Sequence, residues 1–281
     1  MPAAIRAAVV RREDRDEVVD YLAQDARGNL LLLDMAVRVG RRGAPGELRA
    51  ELAVARREGA IVGVAGLRPS VALDAVSDSE AIEAFLPFIE TLGVGLVKSG
   101  VRGVDALWDE LLRRAPRRPL LDRHETAYAV QPTVAILASG VARPAVAGDL
   151  EPLVVAARES LREEGRPDPF EGDVRNFRRW VRGRLPRARV VEERGRIVCV
   201  GYADVQRADG WLLQGVYTWP EARGRGHASC GVSALCREAF EAGADHVQLA
   251  VVEGNAAGVR LYEKLGFQPF ARLRTILFSR A

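Results

Sequence analysis

The sequence predicts a mixed α/β fold, an α+β mixed sheet built as two lobes of similar plan. Three observations lead to this prediction. The 281 residues are enough for two domains of ordinary size. Hydrophobic residues make up 48% of the chain, which is enough for a sizeable core. Strand-like and helix-like segments alternate in each half, and they follow one another in a similar order in both.

Composition bounds the function only loosely. The net charge of +3 is small for this length and argues neither for nor against a nucleic-acid groove, and we expect no nucleic-acid partner. The three cysteines, Cys199, Cys230 and Cys236, form no CxxC pair, so we expect neither a metal site nor disulfides. No signal-peptide pattern occurs, nor any uncharged stretch near the ~20 residues that span a bilayer. A cytoplasmic protein without a membrane partner is expected.

The second half, residues 133–281, carries the clearer pattern. A short strand near Val141 leads to a helix for which Asp149 is the predicted N-cap, with Pro152 in the first turn. Asp209-Gly210 is the strongest hairpin turn signal in the chain. The predicted helices cover residues 149–165, 174–184, 229–242 and 256–265. The predicted strands cover residues 188–193, 197–205, 211–218, 247–252, 267–271 and 272–279.

The first half, residues 1–132, begins with a similar order of elements. A hairpin is predicted around Glu58-Gly59, with strands over residues 52–58 and 60–67. Helices are predicted over residues 11–22, 28–39, 81–92 and 104–114. The glycine-containing run Lys98–Gly103 lies at a place that is roughly comparable to the glycine-rich turn Arg223–Ala228 of the second half, but it does not match that turn's sequence pattern.

That glycine-rich turn is the most informative segment of the chain. The strand-like run Trp211–Thr218 leads into Arg223–Ala228 (sequence RGRGHA), and a helix-like run, Ser229–Phe240, follows. A helix start presents backbone N–H groups without intrahelical partners and a partial positive charge, which together bind phosphate. Gly224 and Gly226 lack a Cβ and allow a pyrophosphate to approach the main chain. A dinucleotide fingerprint would require a third glycine where Ser229 stands.

With these residues the chain resembles the GCN5-related N-acetyltransferase (GNAT) superfamily. Arg223–Ala228 matches that family's pyrophosphate signature, Arg/Gln-x-x-Gly-x-Gly/Ala. The family's second signature is matched in order by Asn255, Ala256, Tyr262, Gly266 and Phe267. The resemblance is clear over roughly residues 141–278 and faint in the first half. It implies two acetyltransferase-like lobes, the C-terminal one with a complete acyl-CoA-binding signature and the N-terminal one degenerate. An unrelated first domain is the alternative.

The resemblance implies that acetyl-CoA is the acyl donor and that no metal takes part. In the family, acetyl-CoA lies where two parallel strands separate, here 211–218 and 247–252, and bonds to the first of them like an added strand. A backbone N–H near Gly215 or Val216 would serve as the oxyanion site. The expected cofactor contacts are Val216, Thr218, Arg223, Gly224, Arg225, Gly226, His227, Ala228 and Asn255. Asn255 is equally suited to capping the following helix, and the arginines to ordinary solvated charges.

The resemblance also implies the catalytic groups. Tyr262 matches the position of the acid that protonates the leaving thiolate, because a phenol pKa near ~10 is close to the thiol's ~8.5. A core tyrosine is its alternative role. Glu163 and Glu164, at the end of the first helix, are candidates for the general base, as is Asp204, and each could be a plain surface carboxylate. Gln214 could orient an acceptor.

The expected function is therefore N-acetyl transfer from acetyl-CoA to a primary amine of a small molecule or peptide by direct attack. Two alternatives stay open: an acyl-CoA-binding sensor without chemistry, and a two-lobed synthase that forms the amide of a small thiol metabolite. A proton donor at Tyr262 favours catalysis over sensing, since a sensor does not need one. The acceptor's identity is open, and the protein is expected to be a monomer or a homodimer.

Overall fold

The computed structural model of the protein describes residues 3–41, 49–170 and 172–280. The chain divides into two compact units. The first takes in the chain up to Thr126 together with the segment from Ala271 onward, and the second comprises Ala127–Phe270. This division differs from the predicted boundary after residue 132, because two long strands, β6 (Arg117–Val130) and β12 (Gln268–Arg280), each have residues in both units.

The first unit contains two sheets with helices packed on them. Its elements before β6 are β1 (Arg6–Val9), α1 (Arg15–Ala23), α2 (Leu30–Arg38), β2 (Glu51–Arg57), β3 (Ala60–Arg68), β4 (Ala72–Leu73), α3 (Ser79–Ile89), β5 (Val94–Gly100) and α4 (Val101–Arg114). One sheet has the order β1-β2-β3-β4, and all its neighbours are antiparallel. In the other, β12 lies between β5 and β6. The predicted hairpin around Glu58-Gly59 is confirmed as β2 and β3.

The C-terminal strand contributes to the core of this first unit. Ile276 and Phe278 are fully buried among the side chains of α3, α4 and β5. The ring of Phe278 lies 5.6 Å from that of Trp108, and a Cβ added at Gly95 would come within 2.6 Å of its Cζ. Side chains near the end of the sequence therefore form part of the same core as side chains from residues 53–111.

Lys98–Gly103 is not the first unit's counterpart of the glycine-rich turn Arg223–Ala228, contrary to the prediction. In the second unit this turn joins the fourth strand to the third helix, and the equivalent junction in the first unit is the one between β4 and α3, residues 74–78. Lys98–Gly100 instead ends β5, and Val101 begins α4. The predicted equivalence was wrong because β1, β4 and β5 were not predicted as strands, and β4, with two residues, has no recognisable periodicity.

The second unit is one mixed sheet with helices. Its elements are β7 (Arg143–Pro144), α5 (Leu150–Glu163), α6 (Val174–Arg182), β8 (Ala188–Glu193), β9 (Arg196–Arg207), β10 (Gly210–Thr218), α7 (His227–Glu241), β11 (Val247–Val252), α8 (Ala256–Lys264) and the start of β12. The strand order is β11-β10-β9-β8-β7, and the end of β6 lies beside β11. Strands β7 to β10 pair with their neighbours in antiparallel fashion, whereas β10 and β11 pair in parallel. The two strands predicted after residue 266 are one, β12.

Two apolar clusters hold these helices to the sheet. Side chains of α7 and α8, including Leu235 and Tyr262, pack with Leu213 and with Tyr128 and Val130 from the end of β6. Side chains of α5 and α6 pack with Val200 and Tyr217 in a separate cluster. None of the helices in the described ranges is long and apolar enough to cross a membrane.

Asp149 is the N-cap residue of α5, as predicted, but its side chain makes no capping hydrogen bond to that helix. Its carboxylate does not cap α5 but accepts a hydrogen bond from the Val146 N–H at 2.8 Å. The same carboxylate is paired with both terminal nitrogens of Arg143, at 2.7 and 3.0 Å. Because a short 3₁₀ turn over residues 147–149 precedes the helix, Asp149 lies inside a helical turn and faces back toward β7.

Candidate active site

The two central parallel strands of the second unit pair only briefly. Trp211 pairs with Val247 and Leu212 with Gln248, and the ladder ends there. β10 continues to Thr218 and β11 to Val252, so the remaining lengths of the two strands run on without pairing to each other. Backbone groups along this side of β10, including those of Val216 and the N–H of Thr218, are therefore available to an extended ligand.

A bulge in β10 lies at the head of this gap. Pairing with β9 runs from Leu213 to Gln214 and resumes at Tyr217, which leaves Gly215 and Val216 as the bulged residues. Gly215 has φ +57°, and a Cβ there would come within 2.2 Å of the Tyr202 ring. Only glycine therefore fits the position, and the bulge turns the adjacent N–H groups out of the ladder.

The turn after β10 has the geometry of an anion cradle. A 3₁₀ turn, Pro220–Ala222, leads into the glycine turn, which we define as Arg223–Gly226, and α7 begins at His227. Gly224 and Gly226 have φ +74° and +84°, and among the described residues no heavy atom would lie within 4 Å of a Cβ at either. Gly226 is the N-cap, so the first N–H groups of α7 have no side-chain cap from that position.

Charged side chains surround the glycine turn on its β8 side. Arg225 forms an ion pair with Glu193, and Nε2 of His227 lies 3.9 Å from the same carboxylate. This His227 nitrogen is buried and has no hydrogen-bond partner within the described part of the chain. Gly226 and His227 line a cavity of about 450 Å³ together with Lys264. Ala228 packs in a small apolar cluster with Cys199 and Cys230.

Arg223, the first residue of the pyrophosphate signature, is bound to the end of α5. Its Nη2 lies 2.7 Å from both carboxylate oxygens of Glu163, and its Nε donates to the Thr218 carbonyl at 2.9 Å. The Tyr217 hydroxyl donates to Glu163 at 3.2 Å, and burial, followed by the charge of Glu163, raises the pKa of this tyrosine. The Glu163 carboxylate is thus occupied by two partners.

Glu164, the next residue, lies in a different environment. It lines a cavity of about 90 Å³ between α5, α6, β9 and β10, which we call the Gly215 cavity because Gln214 and Gly215 form part of its wall. Successive helical side chains point about 100° apart, which separates Glu163 from Glu164. Asp204, the third candidate base, lies on β9 with Oδ1 4.0 Å from Nη2 of Arg184.

The residues of the second signature lie on and beside α8. The Asn255 side chain accepts from the Gly258 N–H at 2.9 Å, so its capping role is confirmed. Tyr262 is buried and its ring packs edge-on against Phe267 at 5.7 Å. Burial, with smaller contributions from Cys199, Cys236 and Glu164, raises the pKa of the Tyr262 hydroxyl. This hydroxyl therefore keeps its proton throughout the neutral pH range, but it is a weaker acid than the free phenol on which the prediction rested.

Comparison with known proteins identifies this part of the chain. Residues 154–267 match the model of the Acetyltransferase (GNAT) family. They form a GNAT domain. The matched residues begin in α5 and end at Phe267, so they include the β10–β11 gap, the glycine turn and Tyr262. Acyl transfer is accordingly the class of reaction that the family supports.

The fold of nearly the whole chain, and not of the GNAT domain alone, recurs in solved structures. A Drosophila protein superposes with a TM-score of 0.71 at 14% identity, covering 96% of this chain and 98% of that one. A GCN5-related N-acetyltransferase from Sphaerobacter thermophilus gives 0.58 at 17% identity, covering 100% and 96%. A GNAT-family acetyltransferase from Colwellia psychrerythraea gives 0.56 at 12%, covering 98% and 100%. No curated protein matches the chain significantly.

Two features of the GNAT domain escaped the sequence predictions. One is the Tyr217–Glu163–Arg223 network, whose members lie far apart in sequence. The other is Arg184, which lines the Gly215 cavity with Trp180. The i,i+4 spacing of Trp180 and Arg184 is a usable signal, since an arginine one turn after a tryptophan can lie on its ring. In the described residues no group of three or more His, Cys, Asp or Glu could hold a metal ion.

Proposed function

We propose that the GNAT domain transfers an acetyl group from acetyl-CoA to a primary amine of a small molecule or peptide, by direct attack of the amine. The observation that carries this proposal is the position of the β10–β11 gap. The strands cease to pair after two residue pairs, and β10 then leads directly into the glycine turn and the start of α7. An extended ligand with a diphosphate at one end matches this sequence of features.

The residues present fit acetyl-CoA. The open space around Gly224 and Gly226 lets a diphosphate reach main-chain N–H groups up to Ala228, with Arg225 and His227 nearby. Val216 and Thr218 provide main-chain partners for the pantetheine arm, and the bulge at Gly215 provides N–H groups for the acyl oxygen. When bound, acetyl-CoA supplies an activated acyl carbon as a thioester.

Two side chains would carry out the proton transfers of this reaction, one as general base and one as general acid. The amine nitrogen forms a bond to the acyl carbon as the C–S bond breaks, and the nitrogen loses one proton while the thiolate gains one. Glu164, which lines the Gly215 cavity, takes the amine proton directly or through water. The buried Tyr262 hydroxyl, which holds its proton at neutral pH, gives one to the sulfur.

We also propose that the first unit is an acetyltransferase-like lobe without a CoA site. Its element order up to α4 repeats that of the second unit. At the junction equivalent to the glycine turn, the buried Asp74 accepts from the Tyr21 hydroxyl at 2.8 Å, and Asp78 caps α3 by accepting from Ala81 N–H at 2.9 Å. Carboxylates at a helix start occupy the donors that a phosphate would need and repel its charge.

The test uses two glycines at opposite ends of α7. Gly226 and Gly243 have φ of +84° and +80°, and a Cβ at either would have no described heavy atom within 4 Å. Gly226→Ala and Gly243→Ala should therefore strain the fold to a similar extent. Only Gly226→Ala places a methyl group against the diphosphate. It should raise the Kd for acetyl-CoA by about tenfold or more, as expected when charge-assisted hydrogen bonds are lost.

Isothermal titration of both variants and the wild type, followed by a free-thiol assay with a panel of amines, distinguishes the candidate functions. Equal affinity in the two variants would remove the glycine turn from the binding site. Binding of acetyl-CoA without release of CoA for any amine would favour a sensor over an enzyme. Release of CoA only with amines, and not with buffer alone, supports N-acetyl transfer.

A further inference from the structure

The residues that line the Gly215 cavity indicate which kind of acceptor it can bind. Its inner wall includes Gln214 and Gly215, beside the bulge where the acyl oxygen is proposed to bind. Its volume is about 90 Å³, well below the 300–1,000 Å³ typical of drug-sized ligand sites, so it suits a small acceptor. Much of the remaining wall is apolar, as with Leu153, Ala156 and Val181.

Arg184 is the unusual member of this cavity. Its Cζ lies 3.7 Å from the ring centre of Trp180 and 5.0 Å from that of Tyr202, so two aromatic faces fix the guanidinium plane. Nη1 donates to the Trp180 carbonyl at 3.3 Å. The side chain is 16% exposed, and its Nε is buried without a hydrogen-bond partner among the described residues.

Asp204 neutralises Arg184 only incompletely. Oδ1 of Asp204 lies 4.0 Å from Nη2, which is beyond hydrogen-bond length. Arg143 in the same unit shows the contrast, since both its terminal nitrogens contact Asp149, at 2.7 and 3.0 Å. The guanidinium also makes a hydrogen bond to the Tyr202 side chain, so Nε is the donor that has no partner among the described residues. A buried, rigidly held guanidinium with a donor left over is suited to a planar anion, above all a carboxylate.

The cavity wall also contains one acidic side chain, Glu164, and a second basic one, Arg166. Glu164 and Arg166 both line it, with Nη1 of Arg166 3.7 Å from Oε2 of Glu164, so this pair is loose and partly solvated. An ammonium group is attracted to Glu164, and a carboxylate to Arg184. A polyamine, which carries a second cation, would instead be repelled by Arg184 and Arg166.

We propose that the acetyl acceptor is a small amino acid or a similar aminocarboxylate, whose carboxylate binds Arg184 and whose amine faces Glu164 and the bulge at Gly215. This inference rests on the proposed function, because it names the acceptor of the same reaction. The apolar wall then contacts a short aliphatic side chain, and the product is an N-acetyl amino acid.

The experiment compares matched acceptors on the full-length protein with saturating acetyl-CoA. Leucine, leucinamide and 3-methylbutylamine share a side chain and an amine, and only leucine carries the carboxylate; alanine, valine and their amides extend the series, and phosphoethanolamine tests a different anion. We expect kcat/KM, from CoA release, to be at least about tenfold higher for the amino acids than for the partners that lack the carboxylate. Equal values across each set would overturn the proposal, as would a preference for the phosphate.

Arg184→Gln keeps a planar polar group but removes the charge. It should lower kcat/KM for the preferred amino acid by about 10- to 100-fold and leave that for 3-methylbutylamine and the Kd for acetyl-CoA within about twofold. Arg187→Gln is the control, because Arg187 donates to the Asp204 carbonyl at 2.5 Å but does not line the cavity. An equal loss of kcat/KM with the acceptors that carry a carboxylate and with those that lack one would make Arg184 a structural residue only.

A binding measurement separates this proposal from that of acetyl transfer. Amino acids are titrated into the CoA-saturated wild type and into Arg184→Gln. Carboxylate-dependent binding that the substitution weakens supports the assignment even if turnover is slow. If acetyl-CoA binds and amines are acetylated but no carboxylate-bearing member binds better than its amide, acyl transfer stands and the aminocarboxylate acceptor is rejected.

Discussion

Nη2 of Arg223 lies 2.7 Å from both carboxylate oxygens of Glu163, and this contact ties the pyrophosphate signature to the end of α5. The same guanidinium reaches the Thr218 carbonyl, the last residue of β10. One side chain thus holds together a helix end, a strand end and the glycine turn. Arg223 is therefore placed to orient the turn, whose main-chain groups would contact phosphate.

If Arg223 acts through Glu163, removing either partner should have the same effect. Both side chains are partly exposed, 47% and 35%, and such pairs contribute at most about 1 kcal/mol, so Arg223→Gln and Glu163→Gln should each raise KM for acetyl-CoA by no more than about fivefold. The double variant should resemble the single ones. A far larger increase with Arg223→Gln alone would show that the guanidinium itself contacts the diphosphate.

Tyr262 offers a separate test of the proton donor. Tyr262→Phe keeps the ring against Phe267, 5.7 Å away, and removes only the hydroxyl. We expect kcat to fall by about 100-fold and KM for acetyl-CoA to stay within about twofold, since general acids typically contribute 10²–10⁴-fold. Tyr128→Phe, a buried tyrosine of the same apolar cluster, is the matched control and should leave kcat unchanged. Equal turnover in both variants would reduce Tyr262 to a packing role.

The buried thiols predict how stability depends on pH. Burial raises the pKa of Cys199 to about 11 and that of Cys236 to about 12. An unfolded thiol ionises near ~8.5, so above that pH the unfolded chain loses protons that the folded chain keeps. The free energy of unfolding should therefore fall as pH rises from about 8.5 to 10, by at most about 1.4 kcal/mol per pH unit for each thiol.

Urea denaturation at pH 7.5, 9 and 10 measures this decline. The Cys199→Ala, Cys236→Ala double variant lacks the two thiols that are shifted most, keeps Cys230, and should show a flatter dependence, although it starts from a lower stability because two side chains are shortened. A wild-type curve as flat as that of the double variant would mean that solvent reaches these thiols readily in the folded protein.

Local signals in the sequence predicted much of the site. The glycine turn, the hairpin at Asp209-Gly210 and the Asn255 cap each depend on residues within a few positions of one another, and the structure contains all three. The acetyltransferase-like order of the second half was likewise predictable from periodicity, and the family match agrees with it. What these features share is that turn and cap chemistry depends on local backbone geometry.

Long-range pairing was beyond such signals. β12 was predicted as two strands of the second lobe, yet Leu273–Ser279 pairs with Val94–Gly100 in the first unit. Alternation along a strand shows that one face is buried but not which partner buries it. Part of the Arg184 site was missed for the same reason, because Tyr202 meets Arg184 only when the segment that follows α6 packs against β9, whereas the Trp180–Arg184 contact is local.

The last strand segment belongs to the first unit, and the end of β6 belongs to the second. A substitution in either segment should therefore destabilise the unit in which the segment is buried, not the half of the sequence in which it lies. Phe278, near the C-terminus, is buried in the first unit's core, and Val130, from the first half, is buried in the second unit's core. Phe278→Ala should cost about 3–5 kcal/mol and Val130→Ala about 2 kcal/mol. Hydrogen exchange followed by mass spectrometry locates each effect. Phe278→Ala should accelerate exchange in α3 and α4, and Val130→Ala in α7 and β11. If each variant instead loosened the half of the sequence in which it lies, the boundary at residue 132 would describe the folding units better.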